Sequence, residues 1–118
     1  MITETKTRSV EPDITVVEIS GRLNLGNLLV SIETSVRRLI DKGARKLVVD
    51  VTNLSYIDSS GIGMLVGCNG HIEQNGGGMR IAGAQGLVAK SFGVVHLDRI
   101  VQLDADVESA CRNLSAAE

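Results

Sequence analysis

The run Lys46-Leu47-Val48-Val49-Asp50-Val51 constrains this chain more than any other stretch. A strand with one wet face alternates apolar and polar residues. A short continuous apolar run belongs instead to a strand covered on both faces, the central member of a parallel sheet. The flanking sequence agrees. Before the run, Leu25, Leu28, Ile32, Val36 and Leu39/Ile40 recur at helical spacing, with Asn24 or Asn27 as cap and Lys42-Gly43 as the stop. After it, a second helix is predicted from about Ser60 to Gln74, its faces traced by Ile62, Leu65, Val66, Asn69 and Ile72.

The remaining segments fit the same frame. Thr3 to Val10 mixes β-branched and charged residues, as an edge strand does, and Pro12-Asp13 marks a turn. Ile14 to Ile19 completes a hairpin that Gly21 ends. Beyond the turn Asn75-Gly76-Gly77-Gly78, a strand is predicted over Met79–Ala82. A helix follows over Gln85–Phe92, with Leu87, Val88 and Phe92 inward and Gly93 as C-cap. A last strand, Ile100–Gln102, precedes a helix capped by Asp104 with Val107, Ala110, Cys111 and Leu114 on one face. The order β-β-α-β-α-β-α-β-α predicts an α/β fold: a mixed four- to five-stranded sheet flanked by about four helices. Its core should include Val48, Val49, Ile62, Leu65, Ile81 and Leu87.

Composition removes several functions. A formal net charge of -2 argues against a nucleic-acid surface, which needs a basic stripe. Tyr56 and Phe92 are the only aromatic residues, so no stacking platform for single strands exists. Cys68 and Cys111 match no metal spacing and read as two buried, reduced thiols. The first residues lack a basic-then-apolar leader, and no apolar run has the length of a membrane span. The expectation is a cytoplasmic protein that does not insert into membranes.

The chemistry concentrates in Asp58-Ser59-Ser60-Gly61-Ile62-Gly63, where a strand hands over to a helix N-terminus. In a parallel sheet such carboxyl ends are where sites form. Unpaired amides and the positive end of the helix dipole meet a serine hydroxyl there. Such a point can cap the helix, hold an anion or present a serine for phosphorylation, and the residues themselves leave these open. A hydrolase elbow needs Gly two residues before and two after its serine. Ile57 and Asp58 stand at the preceding positions. His71 lies about three turns, roughly 18 Å, along the helix from Ser59, and His96 falls in a loop. Gly61-Ile62-Gly63 lacks the third glycine of a dinucleotide loop, and Gly76-Gly77-Gly78 precedes a strand rather than a helix. No catalytic residue, metal ligand or cofactor is therefore expected.

Gly21-Arg22-Leu23-Asn24, Leu47-Val48-Val49-Asp50, Tyr56 through Gly63 and Gly78-Met79-Arg80-Ile81 together resemble the anti-sigma factor antagonists of the STAS family. The likeness runs over about residues 8 to 114, which implies one STAS domain across residues 1–118. It implies a binding module, not an enzyme. An unmodified antagonist binds an anti-sigma factor that is also a serine kinase and so releases the sigma factor. The kinase then phosphorylates the serine after the aspartate, and a PP2C-type phosphatase resets the switch. By position the acceptor is Ser59, and the partner-binding residues are Asn24, Asp58, Ser59, Ser60, Gly61, Ile62 and Gly63. Asn24 departs from the pattern, since many antagonists carry Asp there. The alternatives within the resemblance are a scaffold in a signalling assembly and an accessory subunit of a membrane transporter. A small-molecule or nucleotide-binding α/β domain is more distant.

Overall fold

A computed structural model describes residues 3–116. Strands β1 (Glu4–Val10) and β2 (Ile14–Leu23) form the hairpin, and α1 (Asn27–Asp41) leads into β3 (Lys46–Asp50). Then come β4 (Leu54–Ile57), α2 (Ser59–Gln74), β5 (Gly78–Ala82), α3 (Gly86–Val94), a single 3-10 turn (Leu97–Arg99), β6 (Gln102–Asp104) and α4 (Val107–Ala116). The strands are ordered β1-β2-β3-β5-β6, with β4 paired to β2. Only β1 runs antiparallel to its neighbour; β2-β3, β2-β4, β3-β5 and β5-β6 are parallel.

The predicted mixed α/β architecture is present, with one strand added. The four residues of β4 give no strand signal of their own, because Leu54-Ser55-Tyr56-Ile57 is too short to show a period. What makes them a strand is β2. Gly21 does not end that strand: it takes φ 90°, a conformation glycine tolerates, and the chain continues through an irregularity at Gly21/Arg22. The first part of β2 pairs with β3 and its last residues pair with β4, so Leu23 lies opposite Ile57.

Period-two alternation divides the sheet between two cores. Val17, Ile19, Leu23, Leu47, Val49, Val51, Met79 and Ile81 face α1, α2 and α3. Ile14, Val16, Val48 and Ala82 face the other way, onto Ala110 and Leu114 of α4. Both faces of β3 are thus buried, as its unbroken apolar run requires. β1 is exposed along nearly its whole length.

Several predicted details are corrected. Leu25 and Leu28 are 76 % and 49 % exposed; the inward stripe of α1 is Leu29, Ile32, Val36 and Ile40. Gly26 occupies the N-cap with no side-chain bond, so neither Asn24 nor Asn27 caps α1. Leu87 is 63 % exposed, because Val88 and Phe92 alone set the buried side of α3. Gly93 lies inside α3, and Val95 takes the C-cap. Leu97 and Val101 fill the core ahead of β6, displacing the last strand to Gln102–Asp104. Asp104 does not cap α4. It takes a fork of hydrogen bonds from Arg80 and another from Asn113, while Asp106 accepts the Ser109 amide at 2.8 Å. Cys68 is buried, which pushes its thiol pKa up to about 11, whereas Cys111 is only partly buried.

Candidate functional site

The site is built from three chain segments that the sheet brings together. β4 carries the chain to Asp58, the N-cap of α2, in an extended conformation with φ -103° and ψ -177°. The Asp58 amide donates to the Leu23 carbonyl at 3.2 Å, which continues the β2-β4 ladder into the turn. Its side chain then works in two directions. Oδ1 accepts the Gly61 amide at 2.9 Å, the cap bond, and Oδ2 accepts the Leu25 amide at 3.1 Å from the loop ahead of α1. The Gly61 amide, and the Leu25 amide after it, hold the Asp58 carboxyl below its usual range, against partial desolvation.

Asp58 is therefore the cap, and Ser59 is freed from that task. Ser59 is the first residue of α2 and is exposed; Ser60, the next hydroxyl, is half-buried. Among the candidate residues, Asp58, Ser59, Ser60, Gly61 and Ile62 form one continuous turn, and Asn24 lies beside it through Leu25, exposed and with no cap role.

The two glycines of the turn have different reasons. At Gly61 a Cβ would lie 2.7 Å from Ile57 Cγ1 and 2.8 Å from the Leu23 carbonyl oxygen, so α2 starts hard against the β2-β4 ladder. At Gly63 a Cβ would meet nothing within 4 Å. Gly61→Ala is expected to lower stability, because overpacking of about 1–3 kcal/mol outweighs the roughly 1 kcal/mol that alanine gains in a helix. Gly63→Ala should raise stability by up to about 1 kcal/mol. Urea titration of both proteins reads the sign directly; two shifts of the same sign would contradict the close approach at Gly61.

Around Ser59 the surface is apolar. On one side stands a groove of about 330 Å³ lined by Ile57, Ser59, Ile62, Lys90, Ser91, Val94 and Val95. Val94 and Val95 are 72 % and 49 % exposed. Leu25, whose amide is held by Asp58, is exposed, as is Leu28 in the first turn of α1. Sequence reasoning sent Leu25, Leu28 and Leu87 inward and assigned no role to Val94 and Val95. The signal was present in α3, where Leu87, Ser91 and Val94 fall off the 88/92 stripe. A larger open furrow of about 800 Å³, lined in part by Val10, Ile14, Val107 and Cys111, lies between the hairpin and α4 and shares no residue with the Ser59 groove.

Neither histidine lines the Ser59 groove. His71 binds Asp41 at 2.7 Å between α2 and α1, and His96 is exposed at a left-handed position before the 3-10 turn. Among the described residues no cluster of three His, Cys, Asp or Glu is placed to hold a metal ion, and no helix is long and apolar enough to cross a membrane.

The STAS domain family model matches residues 6–110, and the chain belongs to that family. It is 25 % identical over 92 residues to the anti-sigma-B factor antagonist of Staphylococcus aureus, covering 78 % of this chain and 84 % of that one. An anti-sigma factor antagonist from Mycobacterium paratuberculosis superposes with a TM-score of 0.84 at 15 % identity, over 97 % of this chain and 95 % of that chain. SpoIIAA from Bacillus in its phosphorylated form superposes with a TM-score of 0.72 at 22 % identity, over 93 % and 98 %. Its unphosphorylated form gives 0.75 at 20 %, over 95 % and 98 %. At these identities the structural likenesses establish the fold.

Proposed function

We propose that this STAS protein is an anti-sigma factor antagonist controlled by phosphorylation of Ser59. The observation that carries the reading is an exposed hydroxyl at the start of α2, relieved of capping by Asp58 and lining one groove with the exposed apolar side chains of Val94 and Val95. Unmodified, this surface docks on an anti-sigma factor that is also a serine kinase, and the sigma factor is released. Phosphate on Ser59 ends the contact, and a PP2C-type phosphatase restores it. The relatives named as antagonists, and SpoIIAA with its two phosphorylation states, support this assignment. In this reading Asn24, Asp58, Ser60, Ile62 and Gly63 complete the contact surface around the acceptor, and Gly61, expected there from the sequence, is buried beneath it against the β2-β4 ladder.

The physical terms favour a switch over a structural site. A phosphoryl group adds about 1.5 to 2 negative charges at pH 7. At a helix N-terminus that charge meets amides and the positive end of the dipole, so the fold tolerates it. A partner packed on the apolar surround would have to bury it beside the Asp58 carboxylate.

Incubation with the cognate kinase should add one phosphate to the protein and none to Ser59→Ala, as read by intact mass. Ser60 is half-buried in the first turn and should not substitute. Phosphorylation of Ser59→Ala at the unchanged rate would remove Ser59 as acceptor. The second reading, a scaffold or a transporter subunit, draws on Asn24 standing where many antagonists carry Asp. Co-purification separates the two: a histidine-kinase-like ATPase partner supports the antagonist, and a membrane complex supports the alternative.

A further inference from the structure

We propose that Lys90 is the counter-cation for a phosphoryl group on Ser59, swinging across the groove to pair with it and covering the apolar floor as it does so. The inference rests on the proposed modification of Ser59 and adds a second residue, on a different helix, to that switch. Ser59 and Lys90 line the same open groove, whose other walls, Ile57, Ile62, Ser91, Val94 and Val95, are apolar or neutral. Lys90 is the one charged residue among them. It is exposed and makes no ion pair with another described residue.

An exposed helical lysine is commonly one rung of an i,i+4 charge ladder. Lys90 is not: Gly86, Leu87, Gly93 and Val94 occupy the positions three and four residues away. The other charges near the turn are committed. Asp58 spends both oxygens on the Gly61 and Leu25 amides. The Arg22 guanidinium stacks 4.3 Å from the centre of the Tyr56 ring. No acidic residue stands in the first turn of α2, and no acid or histidine lines the groove. Among the residues that line the groove or cap the turn, the charged groups are thus Asp58, of like charge to a phosphate on Ser59, and Lys90, of opposite charge. A dianion over an apolar floor draws in a cation, and a flexible four-carbon stem with three donors meets that need without backbone movement. Modification would then act twice on the docking surface: it places charge there, and it lays the lysine stem over Ile62, Val94 and Val95.

The test is the phosphorus-NMR titration of protein carrying phosphoserine installed at position 59 during translation, with Lys90 unchanged, Lys90→Gln and Lys90→Arg. With Lys90 in place the phosphate should titrate below the ordinary value of about 6. Lys90→Gln should raise it by roughly 0.3 or more, and Lys90→Arg should restore it. The difference should shrink in about 1 M salt. Equal titration with Lys90 and with Gln overturns the proposal, as does a rise that Arg fails to reverse. Because no kinase installs this phosphate, the result is independent of whether Ser59 is a kinase target, which the intact-mass experiment on Ser59→Ala decides.

Discussion

Ser59→Asp is expected to lose the anti-sigma partner while melting within about 4 °C of the unchanged protein. Ser59 is exposed at the first position of a helix whose first turn contains no acid, so a carboxylate there meets the favourable end of the helix dipole. Against this stands repulsion from Asp58, whose carboxylate is already held by two amides and turned toward Gly61 and Leu25. The two effects on the free protein are each about 1 kcal/mol or less and oppose one another. In the complex the balance changes. The surround formed by Leu25, Ile62, Val94 and Val95 offers a buried charge no partner except Lys90. Burial of a poorly compensated charge is a term of several kcal/mol. Even about 3 kcal/mol weakens binding more than a hundredfold. Binding calorimetry beside thermal melting separates the outcomes. Loss of binding together with loss of the melting transition would make Ser59 a structural cap. Unchanged binding would take it out of the interface.

Val49→Asp is expected to leave no folded protein. Val49 is 1 % exposed on the strand between β2 and β5, beneath α1, α2 and α3. A carboxylate there would be surrounded by Leu, Ile, Val and Met, with no described cation in that core. The resulting penalty of several kcal/mol is comparable to the whole stability of a domain this size, about 5–15 kcal/mol. Far-UV circular dichroism and a melting curve check it; a cooperative transition in Val49→Asp would contradict the burial of both faces of β3.

The fold was largely legible because its centre is unambiguous. A doubly buried strand such as β3 leaves an unbroken apolar run, and the helices around it carry their own period. Legibility failed where a neighbour decides the structure. Leu54–Ile57 is a strand because the end of β2 lies beside it, a long-range fact with no local trace. Leu25, Leu28 and Leu87 read as core because an apolar residue near a helical stripe looks inward until its angle to the stripe is known. The Asp58-Ser59 turn was legible as a strand-helix junction, since Asp before Ser ahead of a helical period is a local pattern. Val94, Val95 and Lys90 were not, because they come from α3 and its C-cap and meet Ser59 only once the fold has assembled.

The two hydrogen bonds of the Asp58 carboxylate have a consequence for the kinetics of association. One oxygen belongs to α2 and the other to the loop before α1, so Leu25 and Ser59 are clamped to each other in the free protein. A partner meets a surface whose backbone is already ordered. Little conformational entropy remains to be lost on docking, and the encounter need not wait for a loop to close. In the proposed switch the same clamp would make the exchange reversible at low cost, since a group added to the exposed hydroxyl leaves the two amides where they were. Cycles of release and recapture under that proposal would run on one backbone scaffold, with the difference between the two states confined to side chains at its surface.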